Sequence, residues 1–447
     1  MKLLQGFLKG NQRSVMAKKN VLASAFIKGG DTLISLILVP LTLGYLNPYE
    51  YGIWLTLSSI LTWINSFDIG LGSGLRNKLG IAMAENDREK GRGYVSTTFF
   101  MLLFLTTAFF VVFSLLINYL DWYAILNVKT ESVENLKEIV LVSFLFFCLS
   151  FLFKFIGNVY QALQLPAINN LIGFVAHLLA LVLIYILKQT IPGSLFWVAI
   201  VYSAVTPVVY LLCYPVTFSK LYPYLAPSYR YFRKEYLKDL FTLSAYFFVL
   251  QIMGLVLFSL SNLMISNLFG PDQVTPYNIA YRYFYVIVIF FNLLLAPLWA
   301  AATDAYAKKD LGWIRVCLNK MNVSFLAIVF IVAIMVAASN AVYTLWIGND
   351  VVIPFSMSVL IGIYVLILLY SSMYSSILNG MGKLRLQSIN IIVVGALFIP
   401  ICYSLSRLCG VLGIVMGMCL IHLTGLILNV IQLHKILSNT AKGIWAR

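Results

Sequence analysis

Four ionisable residues lie inside long apolar segments of the sequence: Lys28, Asp31, Asp68 and Arg282. By insertion scales, an ionisable side chain at the centre of a lipid bilayer costs about 2.5 kcal/mol or more, so it usually faces a polar interior and carries function. Lys28 and Asp31 are three residues apart, which places them on one face of a helix. This spacing allows an ion pair or a shared contact with water. Asp31 is also a candidate for binding a proton or Na+.

Arg282 stands among aromatic residues, with Tyr281 before it and Tyr283 and Tyr285 after it. We expect Arg282 and Lys28 to reach one central cavity as substrate-binding cations, with Tyr281 and Tyr285 as aromatic residues lining it. Two cations suit an anionic group such as a pyrophosphate. Arginine engages such a group through paired hydrogen bonds, and lysine engages it as a point charge.

A structural interpretation of the same four charges stays open. Lys28 then pairs with Asp31, Arg282 pairs with Asp68 or reaches toward the membrane surface, and all four hold helices together. Asp68 lies toward the predicted cytoplasmic end of its apolar segment, where we expect it to be only partly removed from water. Asp68 is therefore a candidate for ion coupling or for pairing.

Other residue types that often do chemistry show no site-like spacing. The six cysteines lie mostly in apolar segments and form no CxxC or Cys/His pattern, which favours thiols packed as small hydrophobic groups. The three histidines, His177, His422 and His434, are isolated in the sequence and are predicted to be ordinary packed or interfacial residues. We predict no catalytic residue, no metal site and no cofactor.

The composition indicates a membrane protein. Hydrophobic residues make up 61% of the chain and charged residues 11%, against about half and about a quarter in soluble domains. Backbone polar groups must be satisfied inside the bilayer, so continuous apolar runs predict helices rather than an alternating barrel. We predict an all-α polytopic protein of about twelve spans, at residues 20–46, 51–74, 94–119, 139–161, 167–187, 195–218, 241–268, 276–303, 321–347, 353–378, 388–406 and 410–433.

The basic residues are unevenly divided between the two sides of the predicted membrane. Most of the 31 Lys and Arg fall in the N-terminal segment, the even-numbered connections and the C-terminal segment. By the positive-inside rule, both termini are predicted to be cytoplasmic. The net charge of +15 is explained by this topology, so we predict contact with anionic membrane lipids but no binding of nucleic acid. Residues 1–8 are predicted to form an amphipathic helix on the inner surface.

A shift of 223 residues aligns several features of the two halves. The dipeptide Asn47-Pro48 falls on Gly270-Pro271, and residues 82–87 fall on residues 305–310. This pattern indicates two pseudo-symmetric six-helix lobes around a central cavity. We assign residues 1–218 to the N-lobe, 219–240 to a basic amphipathic linker and 241–447 to the C-lobe. The linker is expected to lie on the cytoplasmic membrane surface, although a basic loop that only sets topology explains it equally well.

Three segments carry a family resemblance: NVLASAFIKGGD at residues 20–31, LGYLNPYEYGIW at 43–54 and FDIGLGSGLRNK at 67–78. They resemble Wzx-type polysaccharide flippases, the polysaccharide transporter branch of the MOP exporter superfamily, whose fold is MATE-like. The resemblance implies a cationic cavity that receives undecaprenyl-pyrophosphate-linked oligosaccharide from the cytoplasmic leaflet and releases it outside. It also implies cavity roles for Lys28, Asp31 and Arg282.

The resulting functional hypothesis is a flippase of the bacterial inner membrane that works by alternating access for surface polysaccharide biosynthesis, such as that of O-antigen. Coupling to H+ or Na+ is expected, and contact with a polysaccharide polymerase or ligase is possible. A MATE-like drug or cation antiporter is the nearest alternative, but it should show a carboxylate-dominated cavity. A membrane glycosyltransferase or polymerase is less favoured because the longest predicted outer loop is short and contains no arginine. We therefore predict that the protein is not an enzyme.

Overall fold

The computed structural model describes residues 12–62, 71–129, 133–163, 165–242 and 259–446. All regular elements within these ranges are helical. The chain divides into two compact units, residues 1–252 and 253–447. An all-helical fold is expected for an apolar chain, because a helix satisfies its backbone hydrogen bonds within one segment.

The first unit contains long helices joined by short connections. Helix α1 packs along α8, and α6 packs along α9. Helix α3 contacts both α4 and α7. The helices of this unit are α1 (Gln12–Leu43), α2 (Pro48–Thr62), α3 (Leu71–Ala84), α4 (Arg88–Leu116), α5 (Trp122–Leu126), α6 (Leu136–Phe153), α7 (Phe155–Ala162), α8 (Pro166–Thr190), α9 (Leu195–Pro215) and α10 (Lys234–Thr242).

The second unit is also built from long helices. Helix α14 lies between α12 and α16 and contacts both, and α15 packs against α16. Fully buried aromatic residues of this unit include Tyr277, Phe284, Tyr374 and Phe398. Its helices are α11 (259–269), α12 (Val274–Ala307), α13 (Leu311–Ile347), α14 (Phe355–Gly380), α15 (Arg385–Cys409) and α16 (Val411–Leu437).

The predicted spans agree with these helices. Nine helical segments of the described chain are long and apolar enough to cross a membrane. The predicted span 276–303 corresponds to α12. The predicted spans 51–74 and 241–268 include residues 63–70 and 243–258, which lie outside the described residues, as do residues 1–8 of the predicted surface helix. The prediction of an all-α fold with about twelve spans is confirmed.

The segment after α9 packs against the first unit. It continues as a π-helix at Val216–Leu221 and two 3-10 turns before α10. Arg92 of α4 donates a hydrogen bond from Nε to the carbonyl oxygen of Ala226 (3.0 Å) and stacks over the ring of Tyr231. The backbone amide of Arg233 donates to Thr97 Oγ1 (3.1 Å). The basic linker is thus held by backbone and side-chain contacts, whereas Tyr229, Arg230 and Lys234 stay exposed.

Candidate functional site

Two of the predicted intramembrane charges meet in the first unit. Lys28 Nζ donates to Asp31 Oδ2 at 2.7 Å, so the ion pair that their spacing allows is present. A third residue joins them, because Nδ1 of His177 on α8 contacts Asp31 Oδ1. The side chain of Asp31 is only 10% exposed, whereas those of Lys28 and His177 are each 45% exposed. We call Lys28, Asp31 and His177 the ionic triad.

Local packing explains why His177 reaches Asp31. A Cβ on Gly30 would lie 3.0 Å from a ring carbon of Phe174, so the glycine lets α8 approach α1 closely. Phe174 precedes His177 by three residues, and the two side chains therefore share a face of α8. The backbone at Lys28 is further tied by the hydroxyl of Thr32, which donates to the Lys28 carbonyl oxygen at 2.8 Å.

The ionic triad lies at membrane depth. Asp31 is twelve residues before the end of α1 at Leu43, which corresponds to about 18 Å along the helix axis. His177 lies near the middle of α8, a 25-residue apolar helix. At this depth a lone carboxylate is costly, and its pairing with one cation and one imidazole compensates that cost. Lys28 and His177 form the half-exposed side of the cluster, and Asp31 forms its buried side.

The sequence predicted an ordinary packed or interfacial histidine at position 177, and the structure adds a partner for it, the buried carboxylate of Asp31. The contact joins positions 146 residues apart, so no local spacing indicated it. His422 and His434 have no such contact with a charged side chain among the described residues. His422 packs edge-to-face on Tyr364, with rings 5.2 Å apart, and His434 contacts the Val430 carbonyl oxygen of its own helix.

Arg282 lies half-buried on α12 of the second unit. The two aromatic residues predicted to line a cavity, Tyr281 and Tyr285, stack on each other with ring centroids 5.3 Å apart. Tyr281 also lies 6.2 Å from the ring of Tyr364 on α14. The arginine therefore sits beside a column of tyrosines that joins two helices. Asp68, the fourth predicted charge, lies outside the described residues.

The described interior of the second unit also contains a pair of neutral side-chain amides. Asn278 Nδ2 donates to Asn262 Oδ1 at 2.8 Å and to the Val274 carbonyl oxygen at 3.0 Å. Both asparagines are almost fully buried. Such amide pairs satisfy hydrogen bonds between helices without placing a charge in the membrane.

One intramembrane cation was missed in the sequence. Lys154 falls inside the predicted span 139–161 and lies between α6 and α7. A lysine within an apolar run is a signal that the sequence alone provides. Among the described residues, no group of three or more His, Cys, Asp and Glu is arranged to hold a metal ion.

The fold is shared with solved membrane transporters. An inward-facing multidrug resistance MATE family transporter of the MOP superfamily matches with a TM-score of 0.75 at 17% identity, over 94% of this chain and all of that one. An outward-facing MATE family transporter of the same superfamily matches with a TM-score of 0.65 at 16% identity, over 97% and 98% of the two chains. The chain therefore shares the fold of these two transporters.

The sequence comparison gives the family. The model of the polysaccharide biosynthesis protein family matches residues 17–299, and the chain belongs to that family. A putative O-antigen export protein of Yersinia pseudotuberculosis is 21% identical, over 82% of this chain and 84% of the relative. A putative O-antigen transporter of Salmonella typhimurium is 22% identical, over 90% and 92%. The resemblance to Wzx-type flippases is confirmed by these matches.

Proposed function

We propose that this protein flips an undecaprenyl-pyrophosphate-linked oligosaccharide from the cytoplasmic to the outer leaflet of the bacterial inner membrane. Alternating access moves the substrate, and the exported unit serves surface polysaccharide biosynthesis. The family and the names of the two O-antigen relatives support an export role. The uneven distribution of Lys and Arg supports cytoplasmic termini. The observation that carries the proposal is the ionic triad, which places an accessible cation at membrane depth.

The charges of the triad favour an anionic substrate. Asp31 contributes one negative charge and Lys28 one positive charge, so the cluster is neutral or positive according to the protonation of His177. Lys28 has three donor hydrogens, of which one is used by Asp31. The remaining donors are available to a phosphate oxygen. We assign Arg282 the complementary role of a paired hydrogen-bond donor to the same class of group.

The ion linked to the triad is proposed to be a proton rather than Na+. A sodium ion at Asp31 would have to share the carboxylate with Lys28 and His177, whereas an imidazole accepts a proton directly. Histidine is the side chain whose charge ordinarily changes near neutral pH. A proton held at the triad would give the cluster a net positive charge, with two cations sharing the Asp31 carboxylate, so that Lys28 could turn toward a phosphate. Proton binding and substrate binding are therefore expected to reinforce each other.

The membrane potential supplies a separate driving force in this proposal. Moving one negative charge outward across an inside-negative potential is favourable by about 2.3 kcal/mol per 100 mV. A pyrophosphate group leaving the cytoplasmic side benefits from that potential without a coupled ion. The proton at the triad would then control binding and release of the substrate.

The test is translocation of undecaprenyl-pyrophosphate oligosaccharide in proteoliposomes. We expect Lys28→Ala and Arg282→Ala each to lower the initial rate at least tenfold, because each removes a charge-assisted hydrogen bond worth about 1.5–3 kcal/mol. Lys188→Ala is the matched lysine control, since Lys188 is exposed near the end of α8. Arg407→Ala is the matched arginine control, since Arg407 is exposed near the end of α15. Unchanged flipping in both folded test variants would reject the proposed roles of these cations.

A drug or cation antiporter is the second candidate function, favoured by the MATE family structures that share the fold. The same proteoliposomes distinguish the two functions. Uptake of an organic cation driven by a proton gradient, combined with no flipping of the lipid-linked oligosaccharide, would establish the antiporter and exclude the flippase.

A further inference from the structure

A polar pocket lies within the first unit and is lined by none of the residues of the ionic triad. It has a volume of about 240 Å³ and is framed by helices α4, α6, α7, α8 and α9. The polar residues that line it, together with one glycine, are Lys154, Gly157, Asn158, Gln161, Asn169 and Tyr210. We call it the Lys154 pocket. No acidic residue is among the described residues that line it.

Lys154 is at membrane depth. It precedes the end of α7 at Ala162 by eight residues, which is about 12 Å along a helix. Its side chain is exposed to the pocket, and within the described part of the chain it makes no hydrogen bond or ion pair. A lysine ammonium at this depth requires water or an anion. The pocket gives it access to either.

A second cation stands beside the pocket. Arg76 of α3 donates from Nη1 to Gln161 Oε1 at 3.3 Å, and Gln161 lines the pocket. Arg76 is exposed, so one of its donors engages the amide while others remain available. The pocket therefore combines an internal ammonium with a guanidinium at its edge.

The neutral part of the lining is fixed by packing. Tyr210 donates its hydroxyl to Asn169 Oδ1 at 2.9 Å. A Cβ on Gly157 would lie 2.1 Å from the same oxygen, so the glycine creates the space that Asn169 occupies. With Oδ1 engaged by Tyr210, the amide nitrogen of Asn169 is left as a donor. Asn158 adds a second side-chain amide to the lining.

We propose that the Lys154 pocket binds the phosphate group of a lipid. Two cations and several amide donors, without a lining carboxylate, match the chemistry of an oxyanion. The pocket is smaller than the roughly 300–1,000 Å³ of usual ligand sites, so it suits a headgroup and not an oligosaccharide. The lipid is either an anionic phospholipid or a polyprenyl pyrophosphate. The inference does not depend on flippase activity.

The test is native mass spectrometry of the purified full-length protein, titrated separately with dioleoyl-phosphatidylglycerol and with undecaprenyl pyrophosphate. Lys154→Met removes the ammonium and keeps a long apolar side chain. We expect this variant to bind at least one of the two lipids at least tenfold more weakly than the unaltered protein. Lys220→Met is the matched control, because Lys220 is an exposed lysine of the first unit outside the pocket, and its affinities should be unchanged.

The two titrations separate the sources of the phosphate. Weaker binding of both lipids supports a general phosphate site, and weaker binding of undecaprenyl pyrophosphate alone supports a substrate site. Weaker binding of phosphatidylglycerol alone supports a phospholipid site. Equal affinities of Lys154→Met and the unaltered protein for both lipids would overturn the proposal. If Lys154→Met does not fold, Lys154→Gln is used under the same criterion, and Lys154→Arg should retain most of the binding.

Discussion

Each unit has a tight turn between two helices that ends in an aspartate N-cap, and we call these two turns the corners. Asn86, just before α4, and Lys309, just before α13, both adopt left-handed backbone conformations, with φ values of 58° and 59°. In each case an aspartate follows as the N-cap residue. Asp87 accepts from the Lys90 amide at 2.9 Å, and Asp310 accepts from the Trp313 amide at 2.9 Å. The corners lie 223 residues apart in the chain, as the sequence repeat predicts.

The interiors of the units differ. The first unit holds a buried carboxylate between Lys28 and His177, and a further lysine at position 154. In the second unit the described buried polar pairs include the neutral amides of Asn262 and Asn278. Both units cap these helix starts with an aspartate. Their buried polar side chains are paired differently, by charged groups in the first unit and by neutral amides in the second.

The capping aspartates are features that any helical fold can use, whereas the buried charges call for a functional explanation. A helix start leaves amide groups without partners in any sequence, so a capping aspartate is useful in both copies. A buried charge has no such general use and is expensive in a membrane. Under the proposed function, the ion-dependent chemistry would reside in the first unit. The second unit carries Arg282 and the tyrosine column.

The largest effect is expected when one buried polar group is removed from each unit and the effects on flipping are compared. Asp31→Asn removes the charge that both Lys28 and His177 contact, and we expect flipping to fall roughly 100-fold, because two charge-assisted hydrogen bonds are lost. Asn278→Ala also leaves a buried partner unsatisfied and should lower the free energy of unfolding by about 1–3 kcal/mol. Flipping by the folded Asn278→Ala protein should stay within about threefold of the unaltered rate.

Both effects are measured in one set of preparations, by flipping in proteoliposomes and by unfolding in SDS titrations. If the two substitutions reduced flipping equally in folded protein, the functional difference between the units would be refuted.

A second test uses one histidine from each unit. His177→Gln removes the imidazole beside Asp31, so the change in flipping rate between pH 6 and pH 8 should become at least threefold smaller than in the unaltered protein. His422→Gln should keep the original pH dependence, because His422 contacts Tyr364 and no charged residue in the described structure. A flat profile after His422→Gln, with the profile of His177→Gln unchanged, would reverse the assignment.

The long helices could be predicted from the sequence because an apolar run of 20 or more residues has few alternatives in a bilayer. The Lys28–Asp31 pair was also predictable, since a three-residue spacing is local to one helix. The contact of His177 with Asp31 was not, because it depends on how α1 and α8 pack. Lys154 was visible as a charge, but its pocket is formed by five helices and required the structure.

A third comparison concerns two arginines at matching positions in the two copies. Arg92 donates to the Ala226 carbonyl oxygen and stacks on Tyr231, whereas Arg315 donates from Nη2 to the Leu437 carbonyl oxygen at 2.9 Å. Arg92→Ala should lower the free energy of unfolding by about 2 kcal/mol, because a charged hydrogen bond and a cation–π contact are lost. Arg315→Ala should lower the free energy of unfolding by only about 1 kcal/mol, because Arg315 is exposed.

These two losses are compared in SDS titrations, with Arg92→Lys and Arg315→Lys as controls that retain charge. A larger loss for Arg315→Ala than for Arg92→Ala would contradict the view that the linker is firmly docked on the first unit.

The smallest expected effect tests the shared corners. Asp87→Ala and Asp310→Ala each remove a side-chain cap, and each should lower the free energy of unfolding by about 1 kcal/mol. Asp87→Asn and Asp310→Asn retain an oxygen that accepts from the helix amide, so their unfolding should be nearly unchanged. Because both caps are exposed and make the same bond, their effects should agree within about 0.5 kcal/mol. A clearly larger loss of unfolding free energy at one corner would mean that the two helix starts are not energetically equivalent. The similarity between the two corners would then be limited to the shape of the backbone.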